Sequence, residues 1–496
     1  MEYYIGYDLG SSSIKAALID VKSGRAVGVT NYPEKEMAIL SVETGWAEQE
    51  PETWWKNLGK VTEKLLVQSG VNSNSIKGVG IAYQMHGLVV VDKDHKVLRP
   101  SIIWCDSRAV KIGDDAFNNI GNERCISSLL NSPGNFTLSK LKWVKENEPK
   151  TYDKIDKILL PGDFMALKFT GEATTTISGL SEGIMWDFKQ KKPADWLFDH
   201  FKIDTGLIPR VVPTFSDHGR VTKKASQEIG LPEGIPLLYR AGDQPNNALS
   251  LNVLHPGEIA ATGGTSGVVY AVTDKTDSKE SVRINSFAHV NYTEDSPIIG
   301  KLLNINGAGI QYSWMKKLMA STRSYNDMNE LAAQVPVGSD GLRILPFGNG
   351  AERMLNNTNN GAAIFNLNFN KHQNQHLFRA ALEGIAFAFV YGINILKEDG
   401  VDVSKIRAGN DNLFRSEIFS KTIATIIGAE INIIDSTGAI GAARAAAVAN
   451  KVFNNLEEAF SDNEQIMTYH PLNDKNEFTK AYALWKNDLD NKYINK

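Results

Sequence analysis

Ile5-Gly6-Tyr7-Asp8-Leu9-Gly10-Ser11-Ser12 opens the chain, and Ile259-Ala260-Ala261-Thr262-Gly263-Gly264-Thr265-Ser266 repeats its pattern in the second half. In each copy a β-prone run ends in glycine and hydroxyl residues. A second β-prone run follows, residues 14–19 in the first copy and 268–272 in the second. The pattern predicts a hairpin with a glycine at its tip. Such a tip can turn several backbone N–H groups toward one centre, and neighbouring hydroxyls add donors, which is how backbone nests hold phosphate oxygens. Gly10, Ser11 and Ser12 in the first copy, and Gly264 and Thr265 in the second, are therefore candidate phosphate contacts. Glycine beside serine or threonine is also ordinary turn chemistry. The pair, more than either copy, points to a duplicated nucleotide-binding fold gripping one triphosphate from two sides.

Outward from the first hairpin, residues 3–8, 14–20 and 26–32 predict three strands in a meander. Trp54, Leu58, Val61 and Leu65 then recur at helical spacing behind Pro51, a residue suited to the first helical turn. Residues 79–83 and 88–92 are the next strand candidates. Near the end, helices over 379–397 and 416–428 alternate with strands over 405–409 and 430–434, which makes the class α/β. At 496 residues the chain exceeds what one core usually organises. A boundary is predicted within 249–256, giving domains 1–248 and 249–496.

Composition narrows the function. With 42% hydrophobic and 22% charged residues the chain reads as ordinary globular protein. A net charge of −4 speaks against nucleic-acid binding, which leans on clustered Lys and Arg, so small-molecule partners are expected. Two cysteines, Cys105 and Cys125, give neither a disulfide framework nor metal-ligand spacing. The N-terminus shows no signal-peptide pattern, and the apolar stretch 384–396 is shorter than the roughly 20 residues of a membrane span. A cytoplasmic protein without a membrane partner is expected.

Asp8, at the entry to the first tip, would repel phosphate but suits a hydrated Mg²⁺, held indirectly through water; the alternative is a turn residue bonding its own backbone. Asp243, in Ala241-Gly242-Asp243-Gln244-Pro245-Asn246-Asn247, follows a β-prone run. Phosphoryl transfer asks mainly for positioning and charge stabilisation, plus one group that orients the attacking hydroxyl and accepts its proton. Asp243 can be that base, although Gly-Asp before Pro and Asn is equally a common turn. In Gln84-Met85-His86-Gly87, His86 could donate to a sugar hydroxyl or serve as a satisfied structural side chain. Trp104-Cys105-Asp106-Ser107-Arg108 offers an apolar face beside polar groups, a lining for a polyol or a surface loop.

Taken together, these segments, with Gly45-Trp46-Ala47-Glu48-Gln49-Glu50-Pro51, resemble the FGGY family of carbohydrate kinases over nearly the whole chain. The resemblance implies two ribonuclease-H-like, actin-like ATPase domains around a central cleft: the N-terminal one with the sugar site and first hairpin, the C-terminal one with the second hairpin and adenosine site. It implies ATP and Mg²⁺ as cofactors, Asp243 as base, and Asp8 in metal and phosphate handling. Met85, His86, Trp104, Asp106, Asp243 and Gln244 fall at the substrate. Ser12 and Thr265 match the hydroxyl positions at the nucleotide phosphates, and Gly307 and Gly409 lie in its glycine-bearing segments near the base and ribose. Gln-Met-His-Gly is most similar to the xylulose-phosphorylating members, which predicts D-xylulose as substrate; gluconate, ribulose or glycerol kinases and a catalytically silent sugar sensor are the alternatives. A homodimer is what the resemblance implies. Ala408-Gly409-Asn410-Asp411-Asn412-Leu413-Phe414-Arg415-Ser416 departs from the usual Gly-Gly-Gly-Ala-Arg-Ser, which predicts a reshaped adenosine pocket. Gln244-Pro245 departs as well and predicts a stiffened loop at the base, and Gly350-Ala351-Glu352-Arg353-Met354-Leu355 differs from the common Gly-Glu-Arg-Thr-Pro.

Overall fold

The computed structural model describes residues 1–280, 282–411, 413–461 and 465–495; Asn412, part of the departing segment, lies outside them. The first sheet contains β1 (Tyr3–Leu9), β2 (Ile14–Asp20), β3 (Ala26–Tyr32), β4 (Ile76–Tyr83) and β5 (Leu237–Gly242), in the order β5-β4-β1-β2-β3. The first three strands form an antiparallel meander, and β4 and β5 run parallel to β1. The second sheet contains β6 (Glu258–Gly263), β7 (Gly267–Thr273), β8 (Asn285–Ala288), β9 (Ile299–Ile305), β10 (Lys405–Gly409), β11 (Ile431–Ile434) and β12 (Gln465–Tyr469). Its order is β8-β9-β7-β6-β10-β11-β12.

The run β11-β10-β6-β7-β9 repeats β5-β4-β1-β2-β3. Each is a hairpin with an antiparallel third strand on one side and two parallel strands on the other. The echo between residues 5–12 and 259–266 is thus the visible trace of a repeated topology.

Strand β1 shows how sequence parity sorts the layers. Side chains of a strand alternate between faces. Ile5, Tyr7 and Leu9 enter a core with Trp54, Leu58, Val61 and Leu65 of helix Pro51–Ser69. Tyr4, Gly6 and Asp8 face the other way, where helix Gly438–Ala449 lies. That helix can lie so close only because both surfaces are nearly bare. A Cβ added to Gly6 would stand 2.0 Å from the Ala439 carbonyl oxygen, and one on Gly80 of β4 2.0 Å from that of Ala442.

Helix Gly438–Ala449, from the second half, thus covers the first sheet. It also meets helix Asp243–Ser250, where a Cβ on Gly441 would stand 1.8 Å from the Ser250 hydroxyl.

Helix Asn374–Glu398 is longer than its apolar centre suggests and, by length and composition, could cross a membrane. In the fold, 83% of its apolar window is buried inside the protein.

Candidate active site

Asp8 is the last residue but one of β1, and Asp243 is the first residue of helix Asp243–Ser250, directly after β5. The segment at Asp243 is thus a helix start, not a turn. Pro245, in the first helical turn, needs no backbone N–H there and stiffens no loop. The two helix starts are tied together: the Asn246 side-chain amide donates to the Gly438 carbonyl at 2.9 Å. A Cβ on Gly438 would stand 2.7 Å from Asp8 Oδ2 and 3.3 Å from Asn246 Nδ2. Two helix N-termini, with their partial positive charge, converge on a pair of carboxylates.

Burial dominates the electrostatics of that pair. It raises the Asp243 carboxyl to about 7, helped by the charge of Asp8 and opposed by hydrogen bonds from the Gln244 and Asp243 backbone and the Gln244 side chain. Burial also raises Asp8, against the pull of Lys15. Both remain partly accessible to the cleft.

Met85 and His86 follow β4 and reach the same place. A Cβ on Gly242, the residue before Asp243, would stand 2.6 Å from Met85 Cγ and 3.3 Å from Glu182 Oε1. His86 holds a backbone φ of 62°, and its ring packs edge-on to Phe136 at 4.9 Å and tilted to Phe287 at 5.2 Å. Its Nδ1 lies 3.0 Å from the Glu182 carbonyl oxygen. A carbonyl can only accept, so the proton is on Nδ1. Burial, with Lys140 nearby, lowers the imidazole to about 3 and keeps it neutral. Nε2 is therefore an acceptor, which corrects the expectation that His86 donates to the substrate.

Asp106 is engaged by other protein groups. Its fully buried carboxylate accepts the Ala47 N–H at 2.6 Å and pairs with Arg108, whose Nη2 is 2.7 Å from Oδ2. Burial with every acceptor occupied makes it a structural group, not a sugar contact. Arg108 stacks over Trp46 at 3.8 Å and Trp143 at 4.7 Å and also meets Glu48 at 2.7 Å. Gln49 donates to the Ser11 carbonyl at 2.7 Å and accepts from Trp54 and Gln84. The Gly45–Pro51 and Trp104–Arg108 motifs are thus one network that braces the first hairpin against the Gln84–Gly87 segment. Trp104 is half exposed.

On the nucleotide side, Ser12, Gly264 and Thr265 are exposed at the two hairpin tips, and Gly10 and Ser11 are partly so. A cavity of about 500 Å³ opens beside the second tip, lined among others by Gly263, Gly264, Thr265, Gly309, Tyr312 and Leu413. Gly307 has another duty than ligand contact. Its N–H donates to Glu352 at 2.8 Å, and a Cβ there would stand 1.8 Å from the Pro346 carbonyl oxygen. Gly409 faces open space. Glu352 and Glu182 were not evident from the sequence, because their roles depend on backbone groups distant in the chain.

Two glycine-and-hydroxyl hairpins, a carboxylate pair beside the first and a cavity beside the second are the layout of a phosphoryl-transfer site. The profile of the "FGGY family of carbohydrate kinases, N-terminal domain" matches residues 3–250, and that of the family's C-terminal domain matches residues 259–450. The chain belongs to the FGGY family of carbohydrate kinases. Among curated relatives, a xylulose kinase of Staphylococcus xylosus is 27% identical over 482 residues, with 95% of each chain covered. Among solved structures, xylulose kinase from Rhodospirillum rubrum has a TM-score of 0.89 at 23% identity, each chain covered in full. Plasmodium falciparum glycerol kinase with ADP has a TM-score of 0.88 at 19% identity, covering 100% of this chain and 99% of its own. The FGGY fold thus extends across the whole chain. In this FGGY kinase the departing 408–416 segment brings side chains to the second hairpin: Asp411 accepts the Gly263 N–H at 2.7 Å, and a Cβ on Gly263 would stand 2.8 Å from that of Leu413.

Proposed function

We propose that this ATP-dependent sugar kinase phosphorylates the primary hydroxyl of a ketose, converting D-xylulose to D-xylulose 5-phosphate, with Asp243 as base. The observation that carries this reading is the contact of Met85 with Gly242, which joins the sugar segment to the residue that precedes the base. The Asp243 carboxylate accepts the hydroxyl proton as the sugar oxygen attacks the γ-phosphorus and the bond to the β-phosphate oxygen breaks, releasing ADP. Met85 supplies an apolar wall, and His86 Nε2 accepts a hydrogen bond from a second sugar hydroxyl. The hairpins at Gly10-Ser11-Ser12 and Gly264-Thr265 hold the phosphates by backbone and hydroxyl donors.

Asp8 suits Mg²⁺ held through water, because burial disfavours its charge, that charge in turn raises Asp243, and a cation would relieve both. Among the described residues no group of three or more His, Cys, Asp or Glu gathers at one point. The ion would therefore keep mostly water and phosphate oxygens, as Mg²⁺ prefers. Bound there, it would neutralise charge developing on the phosphates. Water competes with the sugar as acceptor, so closure of the two halves over both substrates completes the site.

Retention of both carboxylates speaks against a silent sensor. The test is a thermal-shift panel of D-xylulose, D-ribulose, gluconate and glycerol, followed by ADP release on those that bind, since specific binding stabilises the fold. D-Xylulose should give the highest kcat/KM; a polyol or sugar acid that outperforms it would overturn the choice of substrate, and binding without ADP release would favour the sensor.

A further inference from the structure

His86 sits in a conformation that its own chemistry opposes. A φ of 62° is the left-handed region, uncommon for a residue with a Cβ and held only where the surroundings over-determine it. Every polar backbone group of His86 is accounted for. Its N–H donates to Glu182 Oε2 at 3.1 Å, and its carbonyl accepts from the buried Lys140 ammonium at 2.8 Å. Lys140 in turn donates to the Ile103 carbonyl at 3.0 Å. The ring is fixed by the same partner, since Nδ1–H donates to the Glu182 carbonyl at 3.0 Å. One residue therefore holds His86 twice, by its side chain and by its main chain.

Glu182 is itself placed by the second half of the molecule. It ends the short helix Ile177–Glu182. Ser178 of that helix donates to the Ala288 carbonyl at 3.2 Å, and the Ala288 N–H donates to the Ser181 hydroxyl at 3.0 Å. Ala288 belongs to β8, the edge strand that also carries Phe287 against the His86 ring. The Glu182 side chain is 2% exposed, with Oε1 on the side of Gly242 and the Tyr83 hydroxyl beside the carboxyl.

We infer that Glu182 is a positioning residue in two ways, its main-chain carbonyl locking His86 as the Nδ1–H tautomer and its side chain holding the His86 backbone in place, so that the sugar site recognises a hydroxyl donor, and not a carbonyl oxygen, at Nε2. For a ketose this selects the orientation: the keto oxygen cannot occupy the His86 position, and a hydroxyl must. A site built to accept a hydrogen bond rejects an analogue that cannot donate, because the buried acceptor is then left unpaired. Burial of the imidazole, which keeps it neutral, supports the same assignment.

The inference rests on His86 contacting the sugar, and the two can fail separately. His86→Ala should raise the sugar KM at least 10-fold with the ATP KM little changed; if it does not, the assignment of His86 to the sugar site is wrong. If it does, Glu182→Ala should raise the sugar KM about 10-fold with the ATP KM within 2-fold, while Glu182→Gln, which keeps an oxygen for the His86 N–H, should recover most of the affinity. The tautomer is read directly in the intact enzyme from ¹⁵N-labelled histidine, with the His86 resonances identified by their loss in His86→Asn. A neutral ring protonated at Nδ1 is expected at pH 7. An Nε2–H tautomer or an imidazolium in the parent enzyme, or an unchanged sugar KM in Glu182→Ala, would overturn the inference; the spectrum decides even where Glu182→Ala does not fold.

Discussion

Replacing Asp243 by Asn should stabilise the protein, by an amount that depends on pH in a defined way. In the folded chain the Asp243 carboxyl titrates at about 7, against an ordinary 3.8, because burial and the charge of Asp8 disfavour its ionised form. That gap of about 3 pH units, at about 1.4 kcal/mol each, amounts to about 4 kcal/mol for a fully shielded group. Asp243 is partly open to the cleft, and solvent screening brings the expectation down to about 1–3 kcal/mol. The sign follows from linkage. Below about pH 4 folded and unfolded chains are both protonated, and Asp243 contributes no difference. Between about 4 and 7 the unfolded chain has released its proton while the folded one keeps it, so the parent loses stability relative to Asn. Above about 7 the penalty is complete and constant. Thermal unfolding of parent and Asp243→Asn at pH 5 and pH 8 should therefore show the variant ahead by roughly 1–3 °C at pH 8 and by less at pH 5. An equal difference at both pH values, or a variant less stable at pH 8, would refute the electrostatic picture of the site.

Three further outcomes test other parts of the structure. Gly80→Ala places a Cβ 2.0 Å from the Ala442 carbonyl oxygen and should cost at least about 1–3 kcal/mol through overpacking, seen as a lower urea midpoint; an unchanged midpoint would mean that helix Gly438–Ala449 does not lie flat on the first sheet. Asp106→Asn breaks the buried pair with Arg108 and should destabilise by about 3–5 kcal/mol while leaving the sugar KM of the remaining folded enzyme within about 2-fold; a large KM change without loss of stability would return Asp106 to the substrate site. Removal of divalent cations with EDTA should abolish ADP formation but preserve the sugar-induced thermal shift, and turnover that persists in EDTA would remove Mg²⁺ from the account.

What the sequence made legible was what local chemistry decides. The hairpins at 5–12 and 259–266 could be read because alternation and glycine-hydroxyl tips are short-range signals, and β2, β3 and β10 match the expected bounds. Asp243 looked like part of a turn because Pro245, Asn246 and Asn247 are poor in a helix interior; at a helix start they are favourable or harmless. Gly6 and Gly80 gave no hint of their purpose, since the backbone they admit belongs to Ala439 and Ala442, hundreds of positions away. Asp106 resembled a site residue because its true partners, Arg108 and the Ala47 N–H, become decisive only once the loop is folded and buried. The same holds for His86, whose donor or acceptor character is set by the Glu182 carbonyl and not by its own motif.

The central claim is that Asp243 accepts the proton of the attacking sugar hydroxyl. Its most direct measurement is ADP formation by Asp243→Asn with D-xylulose and MgATP, beside D-xylulose binding by the same protein in a thermal-shift titration. A positioned general base contributes about 10²–10⁴-fold, so kcat should fall by at least about 100-fold while the sugar still binds and stabilises the variant. Turnover within about 10-fold of the parent, in a variant that binds D-xylulose normally, would contradict the account.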